Sequence, residues 1–366
     1  MTIIQSNYNN IFSEVDKIIE HAIHVGVFPG ATLWVGLKGE TIKCSAYGRT
    51  ADKAYGMYSP TDVTTKTLYD LASLTKVVAT TWAIMHLKEQ GLLKLTDAVS
   101  QYIPQLGTDQ QKASITIWHI LTHTSGLPAP VGLHKHYRGR DDIIKGICSQ
   151  NLVFPPATQC LYCDSGFILL GEIVHILSSF ELNEYTDRYL FKKLGMRDTM
   201  FNPPETVWDR VAPTEYMKYR GGLVHGIVHD ENAWAMDGVA GHAGLFSTVE
   251  DLAKFCKMLL GYGTFKGKRV LEANSIMELK ALQSGFPDES FGLGWMINRP
   301  YFMGLLANND SFGHTGFTGT SMIINAWTGM ATTLLSNRVC PTRDGPDIST
   351  YRRKVADALS KLCSGS

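Results

Sequence analysis

The order of predicted elements along the 366-residue chain indicates an α+β fold. In this fold, one antiparallel sheet carries flanking N- and C-terminal helices and an inserted helical region. A helical pattern and a two-strand hairpin open the chain, whereas a run of strands and a helix close it. A two-strand hairpin is too small a sheet to stand alone. We therefore expect the first strands to join the last ones in a single sheet.

The first elements are an amphipathic helix and a hairpin. Apolar residues recur at helical spacing from Ile11 to Ile23, and Phe28-Pro29-Gly30 ends this run. Strands are predicted from Ala31 to Leu37 and from Thr41 to Tyr47. Lys38-Gly39 lies between them and is typical of a hairpin turn.

The middle of the chain is predicted to be helix and loop. A helix begins near Ser73 and ends near Gln90, since Gly91 is the residue type favoured just past a helix C-terminus. Three further helices and one long ordered loop are predicted at 115–121, 166–177, 185–194 and 203–240. A capping box at Ser247 to Glu250 then starts another helix.

The last hundred residues have β character. Five strands are predicted, at 291–298, 301–306, 311–316, 320–327 and 330–336. Thr328-Gly329 is a hairpin signal between the final two. Apolar residues from Val355 to Leu362 predict a C-terminal helix.

These elements predict two domains. Residues 10–72 and 243–366 form a discontinuous sheet domain, and residues 73–242 form a mostly helical inserted domain. The segment around Ser73 lies where the two domains meet. Because ligand clefts are common at such boundaries, we expect the site there.

The composition argues against several functional classes. Acidic and basic residues balance at 34 each, so no bulk charge favours a nucleic acid or an anionic membrane. No apolar run approaches the length of a membrane span. Met1 to Asn10 lacks the basic and apolar parts of a signal peptide, and the seven scattered cysteines do not resemble a disulfide framework. If the N-terminus is native, we expect a cytoplasmic protein.

Ser73 and Lys76 are candidates for a catalytic pair. Positions i and i+3 share one face of a helix, so the two side chains can meet without any other segment. A serine beside a lysine can become a nucleophile. At a helix N-terminus, free N–H groups also favour the negative charge that develops there.

A nucleophile of this kind requires a proton shuttle and an oxyanion-binding edge. Tyr162 comes just before an apolar helix and can pass a proton between the serine and a leaving group. His314-Thr315-Gly316 ends a predicted strand, where glycine allows close approach of a substrate. The backbone N–H groups of Ser73 and Phe317 are the candidate oxyanion donors.

Together these residues resemble the penicillin-recognising serine hydrolases. Three motifs stand in the family's order and at fitting separations: Ser73-x-x-Lys76, Tyr162-x-Asp164 and His314-Thr315-Gly316. Four linking segments are also similar, at 121–128, 241–248, 291–295 and 336–338. The resemblance spans about residues 11–360 and is nearest to class C β-lactamases, D-alanyl-D-alanine carboxypeptidases and family VIII esterases.

The resemblance implies a β-lactamase/transpeptidase-like fold and a serine hydrolase that acts on amide or ester bonds. Ser73 would form the acyl-enzyme, Lys76 would help to deprotonate the Ser73 hydroxyl, and Tyr162 would shuttle the proton. Asp164, His314, Thr315 and Gly316 would bind substrate. Substrates would be small molecules or short peptides, with β-lactams as substrates or inhibitors, and no cofactor is expected.

The chain departs from the family pattern at two positions. Asp164 stands where many members have Asn, and a carboxylate there should favour the charged form of Lys76. That shifts proton transfer towards Tyr162. His314 stands where β-lactamases usually have Lys, and its charge should vary between pH 5 and 8. We expect a site less committed to β-lactam carboxylates and more open to small esters, amides or D-amino-acid peptides.

Two alternatives remain open. A non-catalytic family member could bind a β-lactam or peptide without turnover. A metal hydrolase could use His225 and His229, which are spaced i, i+4, although no apolar helix follows and the zincin glutamate is missing. In the family frame, these two histidines with Asp230 and His242 are expected at the cleft rim.

Overall fold

The computed structural model describes residues 3–129, 132–284, 286 and 290–363, with side chains from residue 8 onward. The predicted polar start at Met1 and the predicted domain end at residue 366 lie partly outside these ranges. The predicted domain boundaries near residues 72 and 242 stay a prediction.

The strands of the described residues are short except in one sheet. In chain order, β1 to β13 are Gly30–Leu37, Glu40–Gly48, Tyr69–Asp70, Met200–Phe201, Tyr216–Met217, Gly222–Leu223, Leu245–Ser247, Thr264–Phe265, Lys268–Arg269, Met296–Ile297, Ser311–Thr315, Ser321–Asn325 and Met330–Ser336.

Helices of three kinds connect these strands. In chain order, α1 to α13 are Ile3–His24, Thr81–Glu89, Gln110–Ala113, Ile117–Leu121, Arg140–Ser149, Asp164–Ser178, Leu182–Thr186, Lys192–Leu194, Glu231–Ala235, Val249–Leu260, Ala273–Lys280, Pro300–Met303 and Ser349–Ser360. Two π-helical turns are Lys76–Thr80 and Asp187–Phe191. The 3₁₀ helices are Val99–Gln101, Pro104–Thr108, Leu133–Lys135, Glu205–Arg210, Lys218–Arg220 and Gly304–Leu306.

A six-stranded sheet unites the two ends of the chain. Its strand order is β10-β11-β12-β13-β1-β2. Strand β13 pairs antiparallel with β1, in a register that runs from Ala31 opposite Ser336 to Leu37 opposite Met330. The predicted union of the first hairpin with the C-terminal strands is confirmed.

Helices cover both faces of the sheet. On β1, Leu33 and Val35 pack with the apolar residues of α1 and α13, whereas Trp34 belongs to the larger core that continues into the helical region. Successive side chains on a strand point to opposite faces. All three side chains are buried, so this strand reads as a continuous apolar run.

Three local predictions are wrong. Residues 301–306 are helical rather than extended, because Pro300 occupies the first helical position and Phe302 and Met303 are buried on that short helix. Only Met296–Ile297 forms a strand within 291–298. Thr248, not Ser247, caps α10, since its side chain accepts from the backbone N–H of Asp251.

Buried helices form the middle of the chain. Eight residues of α6, among them Phe167 and Ile173, are buried. Within the described ranges, no single helix is long and apolar enough to cross a membrane. The pair Asp164–Ser178 and Leu182–Leu194 would have the length and composition only as a unit bent by 72°.

Candidate active site

The segment before Ser73 is held in a tight turn. Strand β3 ends at Asp70, whose buried carboxylate accepts from the backbone N–H groups of Ala72 at 2.8 Å and His229 at 2.6 Å. Ala72 has a φ of +45°, a strained conformation for a residue with a Cβ atom. Helical structure begins at Leu74. Ser73 therefore sits at the mouth of the helix, as predicted from its position before the apolar run.

Lys76 joins the nucleophile to a carboxylate. Its Nζ donates to Ser73 Oγ at 2.9 Å and to the His242 carbonyl at 3.3 Å, and it lies 2.5 Å from Asp164 Oδ1. The side chain is completely buried. Burial by itself lowers the pKa of Lys76, but the contacts with Asp164 and Tyr162 together outweigh it, with the Asp164 charge the largest of them, and hold that pKa above its ordinary value. Lys76 is an ammonium ion here, as the sequence-based argument from Asp164 expects.

Tyr162 lies beside both members of the pair. The Lys76 Nζ is 4.8 Å from the centre of its ring. Burial raises the pKa of Tyr162 to about 12, although the Lys76 charge and hydrogen bonds to Lys76 and Ser73 act in the opposite direction. The residue is thus a neutral phenol near pH 7, able to donate a proton.

His123 supports Tyr162, and sequence reasoning did not identify it. Its Nδ1 accepts from the Cys163 backbone N–H at 3.1 Å, its carbonyl accepts from the Leu161 N–H at 2.8 Å, and its ring lies 4.7 Å from that of Tyr162. Burial holds the pKa of His123 well below its ordinary value. It sits in a turn-rich loop whose spacing gives no sign of this contact.

The third motif is tied directly to the nucleophile segment. Thr318 Oγ1 donates to the Asp70 carbonyl at 2.6 Å, and Thr320 Oγ1 donates to the Leu71 carbonyl at 3.0 Å. The backbone of Gly316 lies so close to Leu71 that no side chain fits there, because an added Cβ would lie only 2.4 Å from the Leu71 carbonyl oxygen. The end of β11 is thus fixed against the turn that carries Ser73.

A cavity of about 480 Å³ opens over these groups. Ser73, Tyr162, Asp164, Thr315 and Phe317 contribute to its wall. Within the described residues, the backbone N–H groups of Ser73 and Phe317 donate to no protein acceptor. These two donors can therefore bind an oxygen of a molecule in the cavity.

His314 lies behind the cavity wall rather than in it. The side chain is completely buried, its Nδ1 donates to the Thr315 carbonyl at 2.8 Å, and its ring centre is 5.9 Å from that of Tyr162. Burial lowers the pKa of His314 to about 3. The expected change of charge between pH 5 and 8 is therefore wrong, since the ring stays neutral over that range.

The residues predicted at the cleft rim do not all lie at the cavity. His229 and Asp230 line the cavity, and Asp230 Oδ1 lies 2.8 Å from His242 Nε2. His225 lies elsewhere, with its Nε2 donating to the Val211 carbonyl at 3.0 Å. Among the described residues, no group of three or more His, Cys, Asp or Glu side chains is arranged to hold a metal ion.

Comparison with known proteins gives consistent matches over nearly the whole chain. The sequence profile of the β-lactamase family matches residues 15–357. A Bacillus subtilis protein named N-acetylmuramyl-L-alanine amidase is 34% identical over 89% of this chain and 80% of its own. A Salmonella schwarzengrund protein, provisionally named D-alanyl-D-alanine carboxypeptidase, is 32% identical over 88% of this chain and 82% of its own.

Solved structures show the same fold. A class C β-lactamase superimposes with a TM-score of 0.76 at 19% identity, covering 97% of this chain and 99% of its own. The predicted fold class, an antiparallel sheet with flanking helices and an inserted helical region, is thereby confirmed.

Proposed function

Since this chain belongs to the β-lactamase family, we propose that it hydrolyses amides through an acyl-enzyme formed on Ser73. The protein is a serine hydrolase of amide or ester bonds, as its relatives are. One observation supports the assignment of Ser73 above all: its Oγ accepts from the Nζ of a completely buried lysine. Burial of a charged lysine costs free energy of folding. A buried, charged lysine beside a cavity is therefore a candidate functional group.

The proposed acylation is a proton relay through Tyr162. Ser73 Oγ attacks the carbonyl carbon while its proton passes to the Tyr162 oxygen, and the phenol gives its own proton to the leaving nitrogen. The carbonyl oxygen takes the negative charge and binds the N–H groups of Ser73 and Phe317. The C–N bond then breaks and the amine departs. A water molecule later cleaves the ester to Ser73 by the reverse relay.

The protonation states support this relay rather than a lysine base. Lys76 is paired with Asp164 at 2.5 Å and has a pKa above its ordinary value, so it has no lone pair to accept the Ser73 proton. Tyr162, with a pKa of about 12, holds a proton for the leaving group. In this scheme Lys76 orients Ser73 Oγ and stabilises negative charge that develops on Tyr162.

The substrate class we propose is an amide of a peptidoglycan fragment. An amine leaves poorly unless it is protonated, so a protonated phenol suits an amide better than an activated ester. The relatives' names point the same way, towards N-acetylmuramyl-L-alanine for one and a D-alanyl-D-alanine terminus for the other. We favour the first because that relative is 34% identical, against 32% for the second.

The test is intact mass together with product analysis. Wild-type protein and Ser73→Ala are incubated with N-acetylmuramyl-L-alanine, an N-acylated D-alanyl-D-alanine peptide, benzylpenicillin and a p-nitrophenyl ester. We expect free alanine from the muramyl substrate and a transient Ser73 adduct, with neither seen for Ser73→Ala. Benzylpenicillin should leave a longer-lived adduct, because its acyl group keeps the leaving nitrogen attached.

Two results would overturn parts of this proposal. Turnover by Ser73→Ala at the wild-type rate would remove the acyl-enzyme. Cleavage of the D-alanyl-D-alanine peptide without cleavage of the muramyl substrate would replace the amidase assignment by a carboxypeptidase. The cytoplasmic location expected from the sequence stays a prediction.

A further inference from the structure

Three arginines line the cavity that contains Ser73, and two of them are already engaged. Arg343 donates from Nε to Glu215 and from Nη2 to Glu231, each at 2.6 Å. Arg352 is buried and donates from Nη2 to the carbonyls of Gly316 and Thr320 at 2.9 and 2.7 Å. The charge of Arg343 is thus neutralised by two carboxylates, and the buried guanidinium of Arg352 is fixed to the wall by two carbonyls.

Arg338 differs from Arg343 because no described carboxylate forms an ion pair with it, and from Arg352 because it is only half-buried. Its Nη2 donates to the Arg343 carbonyl at 2.6 Å, and its buried Nε has no protein partner within the described residues. The guanidinium carbon lies 5.6 Å from the centre of the Phe317 ring. Arg338 is half-buried on the cavity wall, and the charges of Asp347, Glu215 and Asp344 act on it without a described ion pair.

The backbone of Arg338 is fixed relative to the catalytic groups. The preceding residue, Asn337, donates from its side chain to the carbonyls of Thr50 and Pro213, both at 2.8 Å. The Arg338 side chain packs against Gly319, where an added Cβ would lie 3.0 Å from Arg338 Cγ. Gly319 donates to the Gly316 carbonyl in the same turn that carries Phe317. The turn that carries the Phe317 N–H, a candidate oxyanion donor, is therefore packed directly against the side chain of Arg338.

Two other groups near Ser73 leave no free positive charge for a ligand. Lys76 is paired with Asp164, and His314 is neutral and lies behind the wall. Of the acids in the wall, Glu231 is paired with Arg343 and Asp230 lies against His242. Asp347 accepts from the Ser349 N–H at 3.0 Å. Arg338 is thus a half-buried cation of this cavity wall that no carboxylate neutralises in the part of the chain that the structure describes.

We infer that Arg338 binds a carboxylate of the substrate beside the bond that is cleaved. This inference rests on the proposed function and narrows its substrate class to amides with a carboxylate near the scissile bond, such as an N-acylated amino acid. A guanidinium with free N–H groups matches the geometry of a carboxylate and makes charge-assisted hydrogen bonds to it. Arg338 would then supply the attraction that neutral His314 cannot.

The experiment compares substrates that differ only in this charge. Values of kcat and KM are measured for N-acetylmuramyl-L-alanine and for its neutral alaninamide, with wild type, Arg338→Met, Arg338→Lys and Arg353→Met. Arg353 is an exposed arginine on the C-terminal helix α13, is not part of the cavity wall, and serves as the matched control. We expect Arg338→Met to lose on the order of tenfold to a hundredfold in kcat/KM on the acid, mainly in KM. The alaninamide should change little, Arg338→Lys should recover part of the loss, and Arg353→Met should behave as wild type.

A second readout needs no amidase activity. The rate of adduct formation is followed by intact mass for benzylpenicillin and for its methyl ester, and Arg338→Met should slow only the free acid. Equal effects on the charged and neutral members of both pairs, or no effect on either, would overturn the inference. Hydrolysis of p-nitrophenyl acetate confirms that each variant is folded. If wild type acylates with benzylpenicillin but cleaves no muramyl substrate, the proposed function fails while the penicillin pair still decides the role of Arg338.

Discussion

The Nζ of Lys76 lies 2.5 Å from Oδ1 of Asp164, so the lysine of the catalytic pair is held in its charged form. This contact links the start of α6 to the helix that carries Ser73. It makes the lysine a positioning and electrostatic group and leaves the proton transfer to Tyr162.

Asp164→Asn should lower the pKa of Lys76. Burial is the largest influence on this lysine and lowers its pKa, and the Asp164 charge is the largest of the influences that raise it. Without that charge, Lys76 loses its proton at a lower pH, and because the relay uses the charged lysine, acylation should begin to fall at a pH lower by about one unit or more than in the wild type. The pH dependence of the p-nitrophenyl acetate burst measures this.

The control for Asp164 is the same substitution at Asp187. That carboxylate is paired with Lys192 at 2.5 Å on the surface and is not part of the cavity wall. Asp187→Asn should leave the profile unchanged. An unshifted profile in Asp164→Asn would show that the carboxylate does not control the protonation of Lys76.

Tyr162→Phe should impair amides far more than activated esters. The variant removes the proton that the leaving nitrogen needs, so kcat/KM for the muramyl amide should fall about 10²–10⁴-fold. A p-nitrophenolate group leaves without a proton, and its release should be less affected. Steady-state kinetics on both substrates measure the difference, with Tyr55→Phe, a surface tyrosine bonded to Asp52, as the control. Equal losses on both substrates would argue against a relay.

His314→Gln should flatten the dependence of stability on pH. The pKa of His314 is about 3 in the folded protein and 6.5 ordinarily. Between these values the unfolded chain binds a proton that the folded chain does not. The free energy of unfolding therefore falls as pH falls, by about 1.4 kcal/mol per pH unit from this group.

Urea unfolding between about pH 4.5 and 6.5 tests this slope. In the variant, the slope of the free energy of unfolding against pH should be smaller by about 1.4 kcal/mol per pH unit. This holds even if the variant is less stable overall. His24→Gln, at an exposed position near the end of α1, should keep the wild-type slope. The same slope in His314→Gln as in wild type would mean that His314 is not a buried neutral group.

Gly316→Ala should damage both stability and catalysis. The new Cβ would meet the Thr320 hydroxyl oxygen at 2.1 Å and the Leu71 carbonyl at 2.4 Å. We expect a loss of about 1–3 kcal/mol in the free energy of unfolding and a lower kcat, since the neighbouring Phe317 N–H is displaced. Denaturant unfolding and ester kinetics measure the two effects. Gly107→Ala, whose Cβ would have its nearest neighbour at 3.6 Å, should change neither, and a wild-type kcat in Gly316→Ala would contradict the proposed oxyanion role.

Local patterns determined much of this protein from its sequence. The Ser73–Lys76 contact follows from helix geometry alone, because residues three apart share a face. Strand β13, predicted at 330–336, has those bounds in the structure. The error at 301–306 has a local cause as well, since short apolar runs suit either a strand or a buried helix.

Tertiary structure decided what depends on burial and on contacts between distant segments. The sequence suggests that Asp164 favours a charged Lys76, but the 2.5 Å contact exists only because α6 packs against the helix of Ser73. His314 is neutral because burial removes it from water, and no pattern in the chain reveals that. The support of Tyr162 by His123 and the position of Arg338 in the cavity wall beside Ser73 also arise only when segments far apart in the chain meet. Periodicity and spacing predict contacts between residues that are close in sequence. The charge of a buried group depends instead on all the groups that pack around it in the folded protein.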